Sequence, residues 1–484
     1  MPQLPSSQSR LRRIFRWTLL VLIVVGAIWA GVILWWQSTQ HQVSQQEVVL
    51  HLIVLPITLL AGIGAFQWYR CRHSASLPAP ASTPANGTSD SATLSEDNRH
   101  PGLPILAAWC LTSAGSNLDD FRQALIDKTL RPLPDHDLLD EDGYPLFAAR
   151  IRDLDAGLQE PQDDTLYSAA FSRTLSLLSR LMEQVEVDWP IAAPALEGTA
   201  AGTGMATLRG SDPATMSPEP RLRLQIKLVT PAEFTPDEQR QALDWLNRTV
   251  TTLPVAPEDR HVEAISAQDD ATPLLLAERF RSEAGAAGAL LILAADSGLC
   301  PATTERLEGE KRLFRSHRPH GLMPGEAAFA ILCINQKALR FALQQPACIL
   351  QRVASCRRAA SADDGARPSH VSLGAATGAA LDAANLTGEA ISAIACDADH
   401  RSSRVLECIG AMLQHTPQLD AIANRLAVNE TCGHIGAASS AGGWVAGIAQ
   451  AQSAGQPVLV FNVSHAFERA AAVLLPANDD ALPA

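Results

Sequence analysis

Charged and aromatic residues are scarce in this sequence, and their scarcity excludes several classes of protein. Only 18% of the 484 residues are charged and 5% are aromatic, whereas 47% are hydrophobic. A disordered chain would be more charged and less apolar, so we expect mainly globular structure. Lys and Arg number 38 against 51 Asp and Glu, which gives a net charge of −13. A basic surface for nucleic acid is therefore not expected.

Cysteine pairs with metal-ligand or redox spacing are also missing. The 9 cysteines are an odd number, and Cys-x-x-Cys occurs nowhere. Such a pattern is typical of a compartment in which thiols stay reduced, and it excludes a disulfide-dense scaffold. The sequence therefore predicts neither a bound metal nor a cofactor.

Two long apolar runs near the start predict a membrane anchor. Residues 17–36 carry no charge, and they begin and end with tryptophan, as membrane-spanning helices often do at the interface. Residues 48–68 form a second and weaker run, which contains Pro56 and Thr58. Each run is long enough to cross a hydrocarbon core of about 30 Å as a helix. We predict two transmembrane helices within residues 1–72.

Basic residues outside this pair of runs set its predicted orientation. Arginines precede the first run and follow the second, and the loop between the runs has no Lys or Arg. The positive-inside rule then places both termini and the large domain in the cytoplasm, at a bacterial inner membrane. A cleaved signal peptide is the alternative interpretation, but no small-residue cleavage site follows the first run.

The chain changes in composition after the anchor. Residues 73–100 are rich in Ala, Ser, Pro, Thr and Asn. They predict a disordered tether, because they have little apolar surface to bury. Residues 101–484 form the predicted body, in which strands and helices alternate, and this indicates an α/β fold with sheets covered on both faces. The predicted strands are residues 103–113, 222–229, 289–295, 327–334, 391–396, 426–429, 457–464 and 470–477. The predicted helices are residues 117–130, 171–185, 236–252, 274–283, 375–384, 405–413 and 433–454.

Several motifs in the body carry a resemblance to a known family. One strand ends at Asp296 in LLILAADSG, and Gly325 and Glu326 open a later strand in GLMPGEAAFAILCI. Two further segments read CDADHRSSRVLE and NETCGHIGAASSAGG. Their order and spacing resemble those of the β-ketoacyl synthase branch of the thiolase-like superfamily. The resemblance covers residues 103–476.

This resemblance implies a fold and a chemistry. The implied fold is a five-layer αβαβα body of two similar halves, usually a homodimer. The implied chemistry is Claisen condensation, which needs a thiolate that accepts an acyl group and donors that stabilise an enolate. The family supplies a cysteine at a helix N-terminus, two histidines and a lysine.

Most of those catalytic positions are altered in this sequence. The nucleophile position falls near Gln268, the first histidine position at Cys396 and the lysine position at Asn429. Only the second histidine is matched, by His434, while His400 comes four residues after Cys396. The closing Gly-Phe-Gly-Gly loop of the family reads NVSHAFER here. We interpret these positions as a vestigial site and assign no catalytic residue.

A zinc site is a competing interpretation of part of this region. Cys396, His400, Cys432 and His434 carry suitable ligand atoms. However, Cys-Asp-Ala-Asp-His is not a recognised ligand spacing for zinc. The sequence therefore favours the interpretation without a metal.

Three hypotheses for function remain open. The first is a non-catalytic, membrane-anchored scaffold or adaptor with a ketosynthase-like fold, because its anchor and tether are similar in layout to accessory proteins of type VI secretion. The second is an acyl-thioester decarboxylase or 3-oxoacyl synthase of a lipid, polyene or polyketide pathway. The third is an inactive partner subunit of such a synthase. The corresponding partners are a secreted effector or an acyl carrier protein, and the loops at residues 196–221 and 357–370 are expected to determine partner specificity.

Overall fold

The structure describes most of the predicted body and none of the predicted anchor. This computed structural model describes residues 102–152, 154, 167–192, 222–267, 271–283, 287–339, 344–364 and 368–477. All of them lie in the second of the two units into which the chain divides, Glu96–Ala484. The predicted membrane helices, residues 17–36 and 48–68, and the tether lie outside the described residues. Within the described ranges, no helix is both long enough and apolar enough to cross a membrane.

The first half of the body runs from residue 103 to residue 339. Its elements are β1 (Leu103–Thr112), α1 (Leu118–Asp127), β2 (Leu133–Leu139), β3 (Pro145–Ala148), α2 (Ala169–Ala192), β4 (Arg223–Thr230), α3 (Pro236–Thr249), β5 (Arg260–Ser266), α4 (Thr272–Ser282), β6 (Gly288–Ser297), α5 (Pro301–Gly309), β7 (Glu326–Ile334) and α6 (Gln336–Leu339). Strands β6 and β7 are buried at nearly every position, as expected of strands covered on both faces. Helix α3 begins at a capping box, in which Thr235 and Glu238 each bond the backbone of the other.

The second half runs from residue 348 to residue 476. Its elements are β8 (Cys348–Leu350), β9 (Ala354–Arg357), α7 (Val371–Ala383), β10 (Ala393–Cys396), α8 (Ser402–His415), β11 (Arg425–Ala427), α9 (Val428–Cys432), α10 (Ser439–Ala454), β12 (Val458–Asn462) and β13 (Glu468–Pro476). Helix α10 is rich in Ala and Gly and almost wholly buried. Small side chains allow a helix to pack closely against neighbours on all sides.

The sheet topology of the first half is repeated in the second. The strand order is β11-β10-β12-β13-β8-β1-β7-β6-β4-β5, and β9 pairs with β13 beside this path. In the first half β5, β4 and β6 are parallel, and β7 and β1 follow as antiparallel neighbours. In the second half β11, β10 and β12 are parallel, and β13 and β8 follow in the same way. The halves join where β1 and β8 pair.

Each half of the sheet has helices on both faces, because residues along a strand point alternately to a shared central core and to an outer core. The result is five layers. One core, between the two halves of the sheet, contains helices α4 and α10, with Phe280 and Trp444 among its large residues. A second core lies on the other face of the first half, beneath α2 and α3. A third lies on the other face of the second half, beneath α7 and α8. The layers agree with the predicted αβαβα architecture.

The predicted elements differ from the structure at several places, and β2, β3, β5, β8, β9, α5 and α6 have no predicted counterpart. The helix predicted over residues 433–454 begins at Ser439, because Gly433 and Gly436 have φ values of +70° and +42°, outside the helical region. The strand predicted over residues 426–429 ends at Ala427, where α9 begins. Strand β5 was not predicted, because as the edge strand it alternates between exposed and half-buried residues and lacks an apolar run.

Candidate active-site cleft

A cleft opens where equivalent strands of the two halves end. The last residues of β6 and the segment that follows β12 line it, and its volume is about 970 Å³. The carboxyl ends of parallel strands are a common place for ligand sites in α/β proteins, and this volume suits a small organic ligand. The polar residues that line it include Thr235, Asp296, Ser297, Cys300, Thr303, Asp363, Arg401, His434, Ser464 and His465.

Two glycines bring His434 to the cleft. Gly433 has a φ of +70°, and a Cβ added at Gly325 would lie 1.9 Å from the Cys432 carbonyl oxygen. The His434 N–H donates to the Met323 carbonyl oxygen at 2.7 Å, and the Gly325 N–H donates to the His434 carbonyl oxygen at 3.1 Å. The GLMPGE and CGHIG segments therefore lie side by side, and the His434 backbone is held from both directions.

Asp296, at the end of β6, binds the segment that leads into α10. Its Oδ2 accepts a hydrogen bond of 2.9 Å from the Ala437 N–H. A Cβ added at Gly436 would lie 2.1 Å from the same oxygen, so glycine is needed for this approach. A carboxylate is favourable beside free N–H groups at the start of a helix. Asp296 therefore fixes the cleft wall directly after His434.

Glu326 is fully buried at the first residue of β7. Its carboxylate accepts two hydrogen bonds from the Arg173 guanidinium, one of 2.9 Å from Nη2 and one of 2.5 Å from Nε. It also accepts from the Ile151 N–H at 2.7 Å and from Ser297 Oγ at 3.0 Å. Both carboxylate oxygens of Glu326 are occupied by these partners within the protein. Glu326 therefore holds the entry of β7 in place and has no oxygen left for a ligand in the cleft.

The segment that replaces the Gly-rich loop of the family is held by a buried carboxylate. We call residues 463–467 the closing loop. Asp397 accepts hydrogen bonds from the N–H of Val463 at 2.6 Å and of Ser464 at 3.2 Å, from Ser464 Oγ at 2.8 Å, and from the Asn462 amide. Asp397 is fully buried, so these bonds are shielded from water. The loop lacks glycine and is fixed at its start.

Two fully buried arginines hold the same loop from behind. Arg404 Nη2 donates to the Ser464 carbonyl oxygen at 3.0 Å, and Arg469 Nη1 donates to the His465 carbonyl oxygen at 2.6 Å. Arg469 also pairs with Glu407 at 2.9 Å, and neither side chain is exposed. The backbone of the closing loop therefore has buried charged partners along its first half.

Asp363 closes one side of the cleft against the same cluster. Its carboxylate lies 2.8 Å from Arg401 Nη1 and 2.7 Å from Arg404 Nη1. Burial opposes ionisation of Asp363, but the Arg401 and Arg404 guanidinium groups hold the pKa of its carboxyl below the usual value. The loop at residues 357–370, which the sequence singled out for partner specificity, thus contributes an ionised carboxylate to the cleft.

Cys396 lies at the end of β10, on the face of the sheet that turns away from the cleft. It belongs to the outer core with Cys408 of α8, and both are fully buried. A hydrogen bond from the Cys408 thiol and the charge of Arg425 lower the pKa of the Cys396 thiol, although burial opposes this. The same hydrogen bond and burial raise the pKa of Cys408. Cys396 is therefore part of the packing of the second half.

Asn429 and His400 also lie outside the lining of the cleft. Asn429, in α9, is buried, and its Nδ2 donates to Ser439 Oγ at 3.1 Å. His400 contacts the Pro319 carbonyl oxygen at 3.2 Å and the Phe314 ring edge to face. Of the predicted vestigial positions that the structure describes, His434 is the one that lines the cleft.

Gln268 lies outside the described residues, although its neighbour Ala267 lines the cleft. Cys300 and His465 line the cleft as well and were not predicted. Cys300 is buried at the N-cap of α5, where its Sγ lies 3.0 Å from Thr303 Oγ1. The available sequence signal was its position just after the end of β6, since no motif marks it.

The described residues do not assemble the four candidate zinc ligands into one site. In the ranges that the structure describes, no group of three or more His, Cys, Asp or Glu side chains is placed to hold a metal ion. Cys396 faces the outer core, whereas His434 faces the cleft. These two candidate ligands are therefore directed to different sides of the sheet.

Solved structures resemble the body over 78% of this chain. The ishigamide ketosynthase/chain length factor matches with a TM-score of 0.50 and 16% identity, over 100% of that chain. A type II polyketide synthase ketosynthase, in complex with its acyl-carrier protein and bound to the hexaketide, matches with a TM-score of 0.53 and 11% identity, over 99% of that chain. A ketosynthase from module 6 of the bacillaene synthase of Bacillus subtilis 168 matches with a TM-score of 0.53 and 12% identity, over 72% of that chain. No protein-family model and no curated protein matches the sequence.

At these identities the likeness shows the fold alone. The body has the mixed α/β, thiolase-like fold of ketosynthases and chain length factors, so the predicted fold class of the body is confirmed. Chemistry does not follow from a fold, because one fold hosts many functions. Function has to be argued from the cleft.

Proposed function

We propose that this protein is a ketosynthase-like subunit that binds acyl thioesters without condensing them and serves as the partner of an active synthase. An acyl carrier protein is the partner that would deliver the thioester. This proposal adopts the third hypothesis from the sequence. Its first support is that ketosynthases and chain length factors share the fold, and one of them was solved with its acyl-carrier protein.

The observation that carries the proposal is a retained cleft with altered chemistry. The cleft of about 970 Å³ keeps His434, held by its backbone from two sides. At the positions of the first histidine and the lysine, Cys396 faces the outer core and Asn429 is buried beside Ser439. Condensation requires a thiolate nucleophile in the cleft. Among the described residues, Cys300 is the cysteine that lines the cleft. It follows β6, whereas the nucleophile position of the resemblance, near Gln268, follows β5.

The secretion-adaptor hypothesis gains no support from the comparisons. The three resembling structures named above are ketosynthases, one of them with a chain length factor and one from a type II polyketide synthase. The adaptor hypothesis depended on the layout of anchor and tether alone, whereas the synthase hypotheses depend on the fold of the body. We therefore prefer a synthase-related role.

Decarboxylation of a malonyl thioester is the second candidate. It needs no cysteine nucleophile, but it needs hydrogen-bond donors for the developing enolate. Two histidines, His434 and His465, line the cleft and carry ring N–H groups of this kind. Release of CO2 that His434→Ala abolishes would favour this candidate over a purely binding role.

Recovery of the tagged full chain from its native cells tests the partner proposal. We expect stoichiometric amounts of a ketosynthase that has an intact Cys-His-His site, together with an acyl carrier protein. An untagged strain provides the control for adventitious capture. Stoichiometric recovery of secretion-machinery subunits in place of a synthase would reject the proposal.

We also propose that residues 1–72 anchor this subunit in a bacterial inner membrane, with both termini and the body in the cytoplasm. The support is the pair of apolar runs and the flanking arginines of the sequence. The full chain should remain in the membrane pellet after alkaline carbonate extraction, and its body should resist protease added to spheroplasts. Extraction into the supernatant, or digestion of the body, would contradict this placement.

A further inference from the structure

The closing loop places a second histidine in the cleft. Three of its residues, Ser464, His465 and Ala466, line the cleft, and His465 is half-buried there. The sequence comparison assigned no role to His465, because the family has glycines in this loop. Its position in the cleft beside the β12 end makes it a candidate for contact with a ligand.

The tautomer of His465 is fixed by its own loop. Its Nδ1 accepts hydrogen bonds from the Phe467 N–H at 3.3 Å and from the Glu468 N–H at 3.0 Å. A nitrogen that accepts cannot carry the proton of a neutral imidazole, so that proton resides on Nε2. His465 therefore presents one N–H donor at a defined position.

Buried charges determine where this donor lies. Asp397, Arg404 and Arg469 are fully buried, and they bind the backbone or side chains of residues 462–465. Buried ionic groups of this kind add little net stability relative to apolar packing, because their desolvation offsets their attraction. They do select one conformation of the segment that they bind. The network is therefore better explained by accurate placement of the closing loop than by stability.

We propose that His465 Nε2–H is a hydrogen-bond donor to the thioester carbonyl oxygen of an acyl-pantetheine ligand in this cleft. Cys396 stands at the first histidine position of the resemblance but faces the outer core, so it supplies no donor to the cleft. His465 would supply that donor instead. This inference rests on the proposed function, because it requires that the cleft bind a thioester. His465 is then the residue that orients the carbonyl group, and the buried network positions His465.

The test uses the full-length protein and hexanoyl-pantetheine with a ¹³C-labelled thioester carbonyl. Binding affinity is measured by titration, and the carbonyl stretching frequency of the bound probe by infrared difference spectroscopy. A hydrogen bond lowers that frequency, so a change in the frequency reports donation and not merely loop stability. His465→Asn is the main variant, because its side-chain oxygen still accepts from the Phe467 and Glu468 N–H groups while the Nε2 donor is lost.

We expect His465→Asn to raise the dissociation constant about fivefold and to move the carbonyl band to higher frequency. His465→Gln, whose amide N–H reaches about as far as Nε2, should recover part of the lower frequency. His317→Ala, which removes an exposed histidine outside this cleft, should change neither quantity. If His465→Asn leaves affinity and frequency unchanged, the donor role is wrong while the proposed function stands. If the wild-type protein does not bind the probe, both are rejected.

Discussion

Both halves of the body fix the entry of an equivalent strand with a buried ion pair, and the two pairs have opposite polarity. In the first half an acid on the strand, Glu326 at the entry of β7, pairs with Arg173 of the outer helix α2. In the second half a base on the equivalent strand β13, Arg469, pairs with Glu407 of the outer helix α8. Each half therefore holds the entry of an equivalent strand to an outer helix by a buried ion pair. The helices are not equivalent, because α2 precedes β4 whereas α8 follows β10, the counterpart of β4.

The connections that lead to these strand entries differ, and the cleft is asymmetric as a result. Between β6 and β7 the chain makes helix α5 and a long irregular segment, and it brings Cys300 to the cleft. Between β12 and β13 it makes only the short closing loop, which is held by buried charges and brings His465. A repeated scaffold therefore supports one long wall, which has its own helix, and one short wall fixed by buried charges.

Removal of either buried acid should have the largest effect on stability. Glu407→Gln removes the carboxylate that Arg469 and Arg358 share, and Glu326→Gln removes the carboxylate that Arg173 binds. We expect each to lower the free energy of unfolding by about 3–5 kcal/mol. Urea denaturation of the full chain measures both, and Glu310→Gln, at an exposed pair, should change it by less than about 0.5 kcal/mol. A large loss in only one half would show that the two pairs are not equivalent.

Asp397→Asn distinguishes the fixed wall from the rest of the second half. It weakens the charge-assisted hydrogen bonds to Val463 and Ser464, so we expect a loss of about 1.5–3 kcal/mol. Hydrogen exchange at the Val463 and Ser464 amides should accelerate well beyond that of β10. Equal acceleration throughout the second half would indicate global destabilisation rather than release of the closing loop.

Gly436→Ala tests the close approach of Asp296, at the end of β6, to the segment after His434. The added methyl group would meet Asp296 Oδ2 at 2.1 Å, and it would sit at a φ of +42°. We expect a loss of about 1–3 kcal/mol. Gly455→Ala is the matched control, since its φ of +63° is similar and no atom lies within 4 Å of the added Cβ. Equal losses in the two variants would attribute the cost to backbone conformation alone.

Asp363 should give the smallest effect, as a dependence of stability on pH. Its folded-state pKa is depressed by Arg401 and Arg404, with burial opposing, so its contribution is present above the unfolded pKa of about 3.9 and is lost as the pH falls below it. Its side chain is about a third exposed, so solvent screening keeps the contribution small. The difference in unfolding free energy between wild type and Asp363→Asn should shrink between pH 6 and pH 3. A difference that grows on acidification would contradict this assignment.

Hydrophobic pattern was sufficient to predict the layers but not the polar network of the cleft. Strands such as β6 and β7 are uniformly apolar because both faces are covered, so their type and order could be predicted from the sequence. The edge strand β5 has no such signal, and the turn at Gly433 depends on contacts with Pro324 and Met323 that lie far away in sequence. Asp397, Arg404, Glu407 and Arg469 read as ordinary surface charges, because their partners are brought together only by the fold.

At the cleft, the order and spacing of residues in the sequence indicate some of the lining side chains but not others. The resemblance assigned His434 to the vestigial site, and His434 lines the cleft; a glycine-flanked histidine between two elements is a local pattern. The resemblance could not show that Cys396 faces the outer core, nor that the closing loop supplies His465. Side-chain direction at the end of a strand depends on pleat and register, and a shift of one residue reverses it.

We propose that this ketosynthase-like body binds thioesters without condensing them. The most direct measurement follows product formation by the purified full chain with hexanoyl- and malonyl-acyl carrier protein, with Cys300→Ala and His434→Ala as variants. We expect the carrier proteins to bind and no 3-oxoacyl product to form with any of the three proteins. A 3-oxoacyl product made by the wild type and lost in Cys300→Ala would contradict it, because the cleft would then contain a working nucleophile.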